Sequence, residues 1–136
     1  YRAPEVVMKL KWDHTADIWS IGCILLELYY GKMLFNTHDS IDHLNQMKNC
    51  IGETPISMIN KMSDETWRDY YDESCHLRLN KAKISPVQCK KIEKYFENDA
   101  NIKSQQLLSL IKSFLVWDPE QRLTPKQALQ HIYFGN

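Results

Sequence analysis

Apolar residues lie on every side of one stretch of this chain, but on only one side of the others. In residues 17–31, "DIWSIGCILLELYYG", the large side chains Ile18, Trp19, Ile21, Ile24, Leu25, Leu26, Leu28 and Tyr29 fall all round a helical wheel, which predicts a central helix buried on every side. Asp17, Ser20 and Glu27 interrupt the run, so it falls short of the roughly 18 near-uncharged residues that a membrane span needs. Thr15 or Asp17 is placed to cap the first turn, and Gly31 to end the helix in a left-handed conformation. Residues 39–51 read differently. Asp39 or Ser40 can cap a helix whose Ile41, Leu44, Met47 and Ile51 share one side, with Gly52 and Pro55 as stop signals, predicting an amphipathic surface helix.

Residues 53–84 lose this periodicity and are rich in charged and aromatic side chains, so an irregular insert with short helical or extended pieces is expected there. Ser85-Pro86-Val87-Gln88 has the form of a capping box with proline at the first helical position, and Cys89, Ile92, Tyr95 and Phe96 follow at helical spacing. From Ser104, Leu107, Leu108, Ile111, Phe114 and Leu115 recur at steps of three and four until Asp118-Pro119 halts them. Thr124-Pro125-Lys126-Gln127 repeats the capping-box pattern ahead of Ala128, Leu129 and Ile132. The expected fold is mainly α in one unit spanning residues 1–136, without a convincing strand pair or internal repeat.

Charge and cysteine content narrow the classes. Seventeen Lys and Arg balance seventeen Asp and Glu, which argues against disorder or a strong pull toward nucleic acid. Cys23, Cys50, Cys75 and Cys89 stand far apart with no C-x-x-C pair, so free thiols in a reducing, intracellular setting are expected. Cys75-His76 with Cys89 fits no common zinc spacing, so no metal site is assigned.

The first residues are Tyr1-Arg2-Ala3-Pro4-Glu5 and include no initiator methionine, from which a C-terminal part of a longer protein is expected. In order and spacing, "YRAPEV", "ADIWSIGCILLEL", "GKMLF" and "WDPEQRLTPKQALQH" resemble the C-terminal half of a eukaryotic protein kinase domain. APE alone is weak, but APE followed by D-x-W-S-x-G and then D-P-x-x-R is specific. "YRAPE" is similar to the CMGC group, and "FNTHDSIDHLNQMKNCIG" resembles the CDC-like, or LAMMER, family, whose name-giving motif reads here Asp42-His43-Leu44-Asn45-Gln46-Met47-Lys48-Asn49. The implied fold is the helical C-terminal lobe of the kinase fold, starting at the APE motif.

The resemblance implies roles residue by residue. Glu5 and Arg122 match the partners of a buried ion pair that fixes the end of the activation segment; without the motif they would read as unrelated surface charges. Asp17 matches the aspartate that braces the catalytic loop, a role compatible with capping its own helix. Tyr1, Arg2 and Ala3 match the segment that receives the substrate residue just after the phosphorylated one, although fraying is the bland reading at a terminus. Residues 39–51 match a docking helix, making Asp39 and Asp42, together with Asp64 and Glu65 of "SDETWRDYYDES", candidates for attracting a basic peptide such as an arginine–serine-rich splicing factor. A solvated face is the alternative for those acids. Lys81, Lys83, Lys90, Lys91 and Lys94 are read as solvation.

Phosphoryl transfer needs a loop over the phosphates, a lysine on them, ligands for magnesium and an aspartate orienting the substrate hydroxyl. G-x-G-x-x-G, H-R-D with its following Asn, and D-F-G are missing from the sequence. ATP and Mg2+ are therefore expected of the longer parent kinase and not of this chain, which is expected to be inactive by itself and to lack neighbours around its central helix. The resemblance further implies a serine/threonine or dual-specificity kinase in the nucleus, with a basic protein substrate. The alternative is a non-catalytic helical binding module or pseudokinase remnant.

Overall fold

The computed structural model describes residues 1–135. Seven α-helices follow in order: α1 Pro4–Val7, α2 Thr15–Tyr30, α3 Ser40–Ile51, α4 Ile56–Ile59, α5 Asp64–Tyr70, α6 Ile102–Phe114 and α7 Pro125–Ala128. Short 3-10 turns lie between them. The described residues contain no strand, only an isolated antiparallel bridge between Tyr71 and Leu77.

The long helix α2 packs against α6. The approach is close because Gly22 carries no Cβ; one built there would meet Leu115 Cδ2 at 2.8 Å and Phe114 Cβ at 3.0 Å. Trp19, Cys23 and Leu26 enter the main core with Leu44, Met47, Phe96, Ile111 and Leu115, while Ile18, Leu110, Phe114 and Ala128 form a second cluster. The expectation of burial on every side fails on one face: Ile21, Ile24 and Leu28 are exposed, Leu28 to 77%. Nothing within residues 1–135 covers that face. Gly31 closes the helix at φ +85°, donating its N–H to Glu27. Its start differs from the expected cap, because His14 occupies the N-cap without a side-chain bond. Asp13 instead accepts from both the N–H and the hydroxyl of Thr15, and Asp17 is exposed.

Asp39 caps α3 by accepting from the N–H groups of Ile41 and Asp42. This helix is buried more fully than an amphipathic surface helix, since Asp42, His43 and Gln46 lie inside along with Ile41, Leu44, Met47 and Cys50. The segment 53–84 is irregular in path yet adds Met58, Ile59, Met62, Tyr70 and Tyr71 to the core.

The helix expected from Ser85 does not form; the chain bends and makes only a 3-10 turn, Ile92–Tyr95. The reason is competition for its capping glutamine. Gln88 Nε2 donates to Asp42 Oδ1 and to the Ser85 carbonyl, while the Ser85 N–H goes to Asp42 Oδ2. Helix α6 stops at Phe114, ahead of Asp118-Pro119. The capping box of Thr124 and Gln127 is present, but α7 ends at Ala128 and leaves Leu129 and Ile132 exposed, the chain passing into a 3-10 turn, Ile132–Phe134.

Candidate functional site

Proline at the first helical position sets α1 in place after Ala3, which puts Glu5 in the first turn, where a carboxylate suits the positive end of a helix. Far along the chain, Asp118 accepts from Glu120 N–H and starts the 3-10 turn Pro119–Gln121, delivering Arg122 at its end. The two side chains meet in fork-to-fork geometry: Nη1 donates to Glu5 Oε1 and Nη2 to Oε2, each at 2.7 Å, with both groups buried. The remaining donors reach backbone carbonyls, Nε to Val116, Nη1 to Thr15 and Nη2 to Trp117. All five guanidinium N–H groups are thus used, and one residue ties together α1, the start of α2 and the chain after α6. The guanidinium also lies 5.3 Å from the Trp19 ring, a cation–π contact beneath the pair.

Next to this node lies the opening segment. Ser20 donates its hydroxyl to the Tyr1 carbonyl at 2.8 Å, anchoring the segment to α2. Of the three residues expected to receive substrate, Tyr1 and Arg2 are exposed. Ala3 is not: it is 1% exposed, because its methyl packs into the core as the N-cap of α1.

The four candidate docking acids divide into two pairs. Asp64 and Glu65 stand exposed in the first turn of α5, behind the Ser63 cap. Asp42 is turned inward, which corrects its assignment as a docking group, while Asp39 is half-buried with both carboxylate oxygens engaged. Asp39 Oδ1 is taken by the α3 N-terminus and its Oδ2 accepts from Lys83 N–H. Asp42 is fully buried and accepts from Gln46, Ser85 and Gln88. Burial alone would raise its pKa, but the hydrogen bonds from Thr37, Ser85, Gln88 and Gln46 outweigh that and lower it.

Its neighbour His43 stacks at a tilt on Phe35, 5.3 Å between ring centres, with Nε2 buried and unpartnered among the described residues. Burial pushes its pKa down to about 4, helped by the positive charge of Arg2 and opposed by Asp42. No cue in the sequence pointed to His43 or to the burial of Asp42. The cysteines are free, as expected. Cys23 and Cys89 are pushed up to about 12 chiefly by burial, so both are protonated thiols at neutral pH, and Cys89 donates to the Leu34 carbonyl.

No cluster of three or more His, Cys, Asp or Glu able to hold a metal ion occurs among the described residues. The four glycines, Gly22, Gly31, Gly52 and Gly135, are isolated and form no phosphate-cradling loop. No helix among the described residues is long and apolar enough to cross a membrane.

The protein kinase domain model matches residues 1–134. The dual specificity protein kinase CLK2 of Homo sapiens is 38% identical over 139 residues, covering 99% of this chain and 27% of that protein. CLK1 of Homo sapiens is 37% identical over 140 residues, covering 98% and 28%. Among solved structures, a kinase domain aligns with a TM-score of 0.82 at 30% identity over 98% of this chain and 39% of its own. The MAP kinase LmaMPK10 from Leishmania major aligns at 0.73 and 28% identity, covering 99% and 36%. The chain thus spans little more than a quarter of the length of the curated relatives it matches.

Proposed function

Because the chain belongs to the protein kinase domain family, with CDC-like kinases of the CMGC group among its relatives, we propose that it forms the substrate-side part of a phosphotransferase. Its fold is the helical C-terminal lobe of the kinase fold. The reaction is transfer of the ATP γ-phosphoryl group to serine, threonine and tyrosine hydroxyls of a protein substrate. ATP and Mg2+ bind to residues of the longer protein outside 1–136, and this chain alone neither binds ATP nor transfers phosphate.

Within that protein, the chain's residues hold the substrate segment. The buried Glu5–Arg122 pair, linking positions 117 apart in sequence, carries the reading: it clamps the turn just behind Tyr1 and Arg2 to the core. Arg2, exposed and next to that clamp, is the group that contacts the incoming chain. Asp17, exposed at the start of α2, braces the catalytic loop supplied by the longer protein. Asp64 and Glu65 attract a basic substrate of the arginine–serine-rich type, in keeping with a nuclear location.

The test is a phosphotransfer assay on the complete protein with ATP, magnesium and an arginine–serine peptide, compared with a peptide in which glutamate replaces arginine. Phosphate on the arginine–serine peptide alone is the expected result. A folded complete protein that transfers no phosphate to any peptide would overturn the reading in favour of a binding module.

A further inference from the structure

Residues 79–91 contain Lys81, Lys83, Lys90 and Lys91 and no acid, and all four lysines are exposed. Between them, aliphatic side chains also face solvent: Leu79, Ile84 at 45% and Val87 at 67% exposure.

The segment is held in one shape from behind. Asp39 fixes Lys83 N–H, Asp42 fixes Ser85 N–H, and Gln88 locks onto Asp42. A cleft of about 310 Å³ opens between Asn36–Asp39 and Lys83–Pro86, bordered by Ile84. The carboxylate of Asp39, which borders the same cleft, is engaged by the N–H groups of Ile41, Asp42 and Lys83.

We infer that residues 79–91 form a preorganised docking surface for an acidic peptide segment whose aliphatic side chains seat on Leu79, Ile84 and Val87. Charge complementarity selects the partner: Lys81 and Lys83 make no side-chain ion pair among the described residues and attract carboxylates, whereas Lys90 lies over the Tyr30 and Tyr95 rings and Lys91 acts on Glu93. This surface differs in sign from the acidic start of α5 and takes a different ligand.

The experiment uses the complete protein, immobilised, and a peptide library with Asp or Glu fixed at alternate positions and random residues between. Retained peptides enriched in Leu, Ile and Val at the random positions are expected, with binding that weakens as salt rises. Lys81→Glu with Lys83→Glu should weaken binding by about tenfold. Ile84→Ser with Val87→Ser should abolish the aliphatic enrichment while leaving retention of acidic peptides partly intact. All four positions are exposed, and unchanged circular dichroism will show that the variants stay folded. Equal retention of a Lys-for-Glu library, or indifference to both double variants, would overturn the proposal. So would loss of library binding alongside co-sedimentation with phosphatidylserine-containing vesicles, which would reassign the surface to lipid.

Discussion

Two carboxylates are buried among the described residues, and their oxygens are satisfied by opposite means. Glu5 faces a guanidinium whose remaining donors are all used on backbone carbonyls. Asp42 has no cation beside it and is held by neutral N–H donors from its own helix and from the loop at residues 85–88. A buried charge is tolerated when its lone pairs are satisfied, whether by an opposite charge or by several dipoles. The difference shows in what each carboxylate joins. Glu5 fastens two distant parts of the core, whereas Asp42 fastens a loop whose outer face is free for binding.

Breaking the charged node should have the larger effect. Arg122→Leu leaves Glu5 buried without its partner and should cost about 3–5 kcal/mol in denaturant unfolding of the complete protein. The double variant Glu5→Leu with Arg122→Leu should recover part of that loss, since an apolar pair leaves no stranded charge. An equal or greater loss in the double variant would mean that the bonds from Arg122 to Val116, Thr15 and Trp117 matter more than the ion pair.

His43, one residue from Asp42, shows a third solution, burial in the neutral form. Its folded pKa of about 4 lies below the ordinary 6.5. The unfolded chain therefore takes up a proton first, and stability is lost as pH falls from 6.5 to 4, by about 3 kcal/mol in total. His43→Gln should flatten this limb in unfolding measured across pH. A slope that survives would assign it to another group.

For the neutral-donor solution, Asp42→Asn turns an amide NH2 toward donors and should cost about 1.5–3 kcal/mol. It should also speed hydrogen exchange at the Ser85 N–H. Because its pKa is lowered, the stabilisation by Asp42 is present above the ordinary 3.8 and lost as pH falls below it. The smallest effect belongs to the exposed acids. Asp64→Ser with Glu65→Ser should stay within about 0.5 kcal/mol in the same unfolding assay, while lowering affinity for a basic peptide if they dock one.

The sequence disclosed one of these two carboxylates and misrepresented the other, for a physical reason. Glu5 and Arg122 sit in short motifs with fixed spacing, and only the family resemblance of those motifs pairs two residues that otherwise read as unrelated surface charges. Asp42 occupies a helix position that periodicity marks as polar, and nothing local records that a loop more than forty residues later folds over it. The same blindness explains the helix expected from Ser85: its cap was legible, but the competing acceptor on α3 was not. The central helix was legible as apolar, whereas its open face depends on which neighbours are present. Thr124 and Gln127 form their box as read, because both halves of that bond lie within one turn.

The acids of α3 hold the loop through its main chain, at the N–H groups of Lys83 and Ser85, and not through those residues' side chains. Every residue except proline offers the same N–H. The loop's shape is thus insulated from its spelling: related proteins can rewrite positions 83 and 85 and change what the surface recognises without redesigning the scaffold beneath it.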